Sequence, residues 1–188
     1  MKRNSVLGKM VIFSIIGAFA AMALTTPALA QKSQELKDAH KMMADGWKMY
    51  NDGQRMVVKG KEMNDLVAVQ MGFQDKMVQG DKIIQDGRNT QTQAATLFAQ
   101  GDKTFTTNMA NPGLAKQGLK MMSDAFKMAD DGGKMIGEGM RMNNKVAAGA
   151  GAIEKFAQGN QVIETGMNTM AQGAQLFMKG ENLSLQLK

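Results

Sequence analysis

Lys41-Met42-Met43-Ala44-Asp45-Gly46-Trp47-Lys48-Met49 is the stretch on which the reading of this chain turns. Methionine recurs every seventh residue from it, at Met42, Met49, Met56 and Met63, and glycine does the same at Gly46, Gly53 and Gly60. Taken locally, Asp45-Gly46 and Asp52-Gly53 look like turns. Turns seven residues apart leave no room for useful strands, and the flanks show no apolar/polar alternation. Those flanks are rich in Lys, Met, Gln and Ala, which favour helix. A seven-residue period with small residues beside large ones is the seam of a coiled coil. With glycine at its first core position, methionine falls at the second. Glycine lets two helix backbones approach closely. Each one costs a helix interior about 0.5–1 kcal/mol relative to alanine, so close packing has to offset the row.

Outward from this stretch, the same text returns without a gap. Lys120-Met121-Met122-Ser123-Asp124-Ala125-Phe126-Lys127-Met128 stands 79 residues on (120 minus 41). Gly53 maps to Gly132, Gly60 to Gly139, Gly87 to Gly166, and Leu97-Phe98 to Leu176-Phe177. A second pair of glycine rows follows, Gly80, Gly87, Ala94 and Gly101, then Gly159, Gly166, Gly173 and Gly180. Self-similarity at a fixed offset marks an internal repeat.

The heptad phase breaks between Gly60 and Gly80, which predicts a turn near Asn64-Asp65 or Gly72. The copy offers Asn143-Asn144 and Gly149 to Gly151 at the same places. Asn111-Pro112-Gly113 is the clearest break, since proline cannot continue a helix and asparagine and glycine suit turns. Four helices are predicted, over about 33–65, 73–106, 113–146 and 151–182. The fold class expected is all-α, an antiparallel four-helix bundle built of two tandem helical hairpins, 31–110 and 111–188.

Residues 1–30 are set apart. Lys2, Arg3 and Lys9 precede an uncharged apolar run, Met10 to Leu24, and Pro27-Ala28-Leu29-Ala30 ends in a small-x-small pattern. That is the layout of a secretory signal, expected to be cleaved after Ala30. The run is also short for a membrane span. The expected location is periplasmic or extracellular. The formal charge of +6 includes the three leader cations, so the remainder carries about +3 with both signs interspersed. No basic block of the kind that binds nucleic acid is present. Cysteine is absent, which excludes disulfides, thiolate metal sites and cysteine nucleophiles.

Methionine is the compositional anomaly. Of 20, three lie in the leader, and the 17 that remain outnumber leucine. Eight form the two columns Met42, Met49, Met56, Met63 and Met121, Met128, Met135, Met142. Core filling is the first explanation of them, because the unbranched thioether adapts to gaps beside glycine. The chemical alternative is a Cu(I) or Ag(I) site, since thioethers are soft ligands that need no deprotonation. Met140-Arg141-Met142 and Met167-Asn168-Thr169-Met170 add close pairs. Oxidant scavenging through methionine sulfoxide is a third use.

His40 is the single histidine, and Leu119 stands at its counterpart position. It is read as a packed or solvent-facing residue, with a His40/Met43 pair as the metal or haem alternative. Covalent haem is excluded without Cys-x-x-Cys-His. Trp47 and Phe126, like Phe98 and Phe177, are read as core layers. No carboxylate pair suggests a desolvated acid/base site, and the glycines follow no strand and precede no Gly-Lys-Ser/Thr. The function expected is that of an exported, non-enzymatic bundle acting by protein–protein interaction, self-association or assembly in the cell envelope. Peripheral membrane contact is compatible with its basic amphipathic helices. The alternative is a Met-thioether Cu(I)/Ag(I) binding or buffering protein.

Overall fold

A computed structural model describes the backbone of residues 6–186 and the side chains of residues 30–186. The leader expected over 1–30 lies outside those side chains except for Ala30. The elements are α1 (Val6–Gln70), a one-turn 3-10 helix (Gln74–Met77), α2 (Val78–Thr107), α3 (Pro112–Gly149) and α4 (Ala157–Gln186). There is no strand among the described residues, and the four helices form a bundle. Among the described residues no helix is long and apolar enough to cross a membrane.

The turns explain where the helices stop. At the α2–α3 turn, Asn111 Oδ1 accepts from the backbone N–H of Gly113 (3.1 Å) and Leu114 (3.3 Å), with Pro112 in the first helical turn. This is an asparagine N-cap with proline where no N–H is needed. The other two turns fall at Gly72 (φ +71°) and Gly151 (φ +69°), the two residues with positive φ among those described. At each, a glycine in the left-handed region lets the next N–H reach back five residues, Phe73 to Ala68 O and Ala152 to Ala147 O. Of the alternatives the sequence offers, the turns fall at Gly72 and within Gly149 to Gly151, later than Asn64-Asp65 and Asn143-Asn144. α1 therefore runs five residues past its expected end, and α3 three. α4 starts at Ala157 rather than 151, because 151–156 are used in the turn.

The closest packing joins α1 to α4 and α2 to α3. It is made between the two 79-residue segments, not within either one. A step of seven up α1 is a step of seven down α4, with Gly46 meeting Gly173, Gly53 meeting Gly166 and Gly60 meeting Gly159. In the other pair Gly80 meets Gly139, Gly87 meets Gly132 and Gly101 meets Gly118. A Cβ on Gly46 would lie 2.5 Å from Phe177 N and 2.6 Å from Gly173 O, and one on Gly118 would lie 2.5 Å from Phe105 N. All thirteen glycines of the rows press on the opposing backbone in this way. A side chain of any size would push the helices apart.

The core sits between the two tight pairs. Trp47 stacks on Phe98 (centroids 4.3 Å apart) and Phe126 on Phe177 (4.2 Å), and Trp47 meets Phe126 edge to face. Val57, Ile84, Ile136, Met140 and Ile163 form a middle layer. Phe73, Met77 and Phe156 close the end that carries the glycine turns. The large residues that alternate with glycine along α1 are Met43, Tyr50, Val57 and Asn64, all buried. This corrects the expectation that methionine fills the second seam position. The columns stand one residue off this line, three residues beyond each glycine instead of four, and that turns them toward the flank.

Candidate functional site

All eight column methionines, Met42, Met49, Met56, Met63, Met121, Met128, Met135 and Met142, are half-buried. They run along the edges of the glycine seams. The Cβ atoms of Met42, Met49 and Met121 lie against Gly180, Gly173 and Gly101 of the opposing helices. Row-mates seven residues apart are roughly 10 Å apart along the helix, and the two rows belong to different tight pairs. The methionines that fill the core are Met43, Met77, Met122 and Met140.

His40 is partly buried. Its Nε2 donates to Asp102 Oδ1 at 2.6 Å, and its ring stacks on Phe105 with centroids 4.2 Å apart. The residue ties α1 to α2, and the core methionine three positions on, Met43, belongs to the aromatic cluster. Among the described residues no group of three or more His, Asp or Glu is placed to hold a metal ion.

Sequence reasoning gave the pairs at Met140 and Met167/Met170 second rank, yet these residues line a common cavity. A cleft of about 340 Å³ opens beside α3 and α4, lined by Tyr50, Asp130, Gly133, Lys134, Gly137, Arg141, Met167, Met170, Ala171 and Ala174. Its floor continues into an inner cavity of about 20 Å³, where Met140, Met167 and Met170 come together with Gln54, Val57, Gln91 and Ile136. The Met170 methyl reaches to 3.3 Å from where a Cβ on Gly133 would be, and the Met167 methyl to 3.8 Å from a Cβ on Gly137.

Gly133 and Gly137 differ from the seam glycines. No opposing backbone crowds either one, and Gly137 has only the tip of Met167 nearby. A Cβ on Gly133 would lie 2.6 Å from Tyr50 Oη, so Gly133 makes room for that hydroxyl. Gly137 has no such neighbour, and its missing side chain helps to open the cleft. The positions 79 residues earlier carry Gln54 and Val58 in place of these glycines, and Lys61, Arg88 and Gln91 in place of the three methionines. The two halves therefore differ in chemistry at these positions, and two of the polar counterparts, Gln54 and Gln91, line the same inner cavity as the three methionines.

A buried polar cluster backs the cleft. Tyr50 Oη donates to Ala129 O at 2.8 Å, Gln91 Nε2 donates to the same carbonyl at 3.4 Å, and Gln54 Nε2 donates to Gln91 Oε1. Burial pushes the Tyr50 hydroxyl well above the usual phenol range; Asp130 adds to the shift and the Gln91 hydrogen bond opposes it. Tyr50 is thus a fixed neutral donor. At the rim Lys134 is held by Asp130 (2.7 Å) and Asp131 (3.1 Å), which raise its pKa by hydrogen bonding. Arg141 lines the outer cleft but not the inner cavity. Compared with protein-family models, curated proteins and solved structures, the chain gives no match.

Proposed function

We propose that this protein is an exported, non-enzymatic binding protein, and that it binds a soft monovalent cation, Cu(I) or Ag(I), through methionine thioethers. We also infer that the bundle arose by tandem duplication of a two-helix unit with glycine heptads, and that one half has since diverged to make the site. The observation that carries the reading is Gly137. It costs its helix about 1 kcal/mol relative to alanine, no neighbouring backbone requires it, and its effect is to open a methionine-lined cleft. Thioethers suit an exported protein without cysteine, because they bind soft ions without deprotonation and form no disulfides.

Interaction or assembly is the second reading. It is favoured by Leu66, Val69, Val78 and Ile153, all exposed at the end of the bundle that carries the glycine turns. Against assembly by helix exchange, both glycine seams are already used within one chain. One experiment addresses both readings. The purified protein is titrated with Cu(I) against a competing chromogenic chelator under anaerobic conditions, and its mass is followed by light scattering. Stoichiometric uptake by a monomer is the expected result. Absence of uptake sinks the metal reading, and a concentration-dependent oligomer without uptake favours assembly.

A further inference from the structure

Resting on the soft-metal reading, we infer that the ion occupies a single site in one half of the bundle, held by the thioethers of Met140, Met167 and Met170. The eight methionines of the heptad columns are not its ligands. Three observations support this. First, the inner cavity of about 20 Å³ admits one water-sized occupant, which is the scale of a single desolvated ion. Second, its sulfur donors come from two helices, Met140 from α3 and Met167 and Met170 from α4. Residues three apart on a helix share a face, so α4 presents two thioethers toward the one on α3. Third, Lys61, Arg88 and Gln91 stand at the corresponding positions of the other half. That half holds two cations where the site holds sulfur, so one ion per chain is expected in spite of the internal repeat.

The access route follows from burial. Met140 is 8 % exposed and lies at the floor, while Met167 is 48 % exposed at the mouth. An ion meets Met167 first and passes inward to Met170 and Met140. Its charge is uncompensated by neutral thioethers; Asp130 is the one acidic residue lining the cleft, and there it already pairs with Lys134 at 2.7 Å. Thioethers have no proton to lose, so affinity is independent of pH between about 5 and 8, where histidine sites titrate and thiolate sites begin to.

The test is an Ag(I) titration of the purified protein, followed by the methionine methyl signals in a carbon–proton NMR spectrum. Ag(I) is a redox-inert stand-in for Cu(I). One equivalent is expected to shift the methyls of Met140, Met167 and Met170. The triple variant Met140→Leu/Met167→Leu/Met170→Leu should bind at least 100-fold more weakly. Met167→Leu alone, at the half-exposed mouth, tests the same point without touching the core and should weaken binding about 10-fold. The variant Met49→Leu/Met56→Leu/Met128→Leu/Met135→Leu should bind as the parent does. If the parent takes up Ag(I) but only the column variant loses it, the site assignment is wrong and the metal reading stands. If the parent takes up none, both fall. Saturation of the cleft by a small apolar probe such as benzene, with no response to Ag(I), would overturn the proposal in favour of an apolar pocket.

Discussion

Replacing Gly53 by alanine sets two opposed energies against each other, and the structure decides the sign. In an unconstrained helix the change is favourable by about 1 kcal/mol, since alanine loses less conformational freedom and shields the backbone. At Gly53 the new Cβ would lie 2.7 Å from Met170 N and 2.8 Å from Met170 Cγ, and would press on Gly166 O. The Met170 side chain can swing aside, but the α4 backbone can yield only if the whole helix moves. Ordinary contact begins near 3.4 Å, and the Gly166 O contact is tighter than either Met170 distance, so α4 must retreat by more than about 0.7 Å. A gap of 0.5–1 Å forfeits roughly a quarter to a half of the dispersion energy of each contact it opens. Overpacking of this kind costs about 1–3 kcal/mol or more, and the helix gain offsets only part of it. A net loss of about 1–2 kcal/mol is expected, read as a fall in Tm of roughly 2–8 °C for a chain of this size. The assay is thermal and urea unfolding beside Gly137→Ala, where the added methyl meets only the Met167 tip at 3.8 Å. That variant should gain about 0.5–1 kcal/mol. If both variants gain stability alike, α1 and α4 are not in backbone contact in solution, and the account of the glycine rows is wrong.

Tyr50→Phe removes the hydrogen bond to Ala129 O and should cost about 0.5–1.5 kcal/mol, measurable by urea unfolding; a gain in stability would contradict the bond. Tyr50 is the only tyrosine, so phenolate absorbance near 295 nm reads it alone. With its folded pKa raised by burial, the native protein should show no phenolate at pH 11, while the unfolded chain does. The sign follows: this group's contribution to stability is complete below its unfolded pKa of about 10 and declines as pH rises above that value. Asp81 accepts from Asn143 Nδ2 (2.8 Å) and pairs with Lys61 (3.1 Å), joining α2 to both α3 and α1. Asp81→Ala should cost about 1–3 kcal/mol, and an unchanged unfolding midpoint would show that these contacts are not made.

Four helices, the proline turn and the importance of the glycine rows could be read from the sequence, because a seven-residue period reports which residues share a helix face. Which neighbour of glycine turns inward could not. Met49 and Tyr50 stand three and four residues beyond Gly46, and both spacings fit a seam. The choice is made by the opposing helix, where Gly173 leaves room for the Tyr50 backbone to approach. Helix pairing was hidden for a similar reason. Similar rows on all four helices are compatible with several partners, and nothing in the rows themselves singles out α1 with α4. For the site, the informative signal was where the repeat fails rather than where it holds. Gln54 and Arg88 stand 79 residues before Gly133 and Met167, and neither mismatch continues the repeat. The polar cluster behind the cleft had no sequence signature, since Tyr50, Gln54 and Gln91 come together only through tertiary packing.

The pairing of the first helix with the last also fixes an order in time. A chain emerging from its amino end delivers α1 long before the residues from 159 to 180 that carry the partner glycines. α2 and α3, joined by a short turn, can zip together while the rest is still being made. α1 must wait, and its contacts are the most distant in sequence, the kind that close slowest. Completion of the bundle is therefore coupled to release of the final helix. A chain that stops before α4 leaves the glycine seam of α1 open.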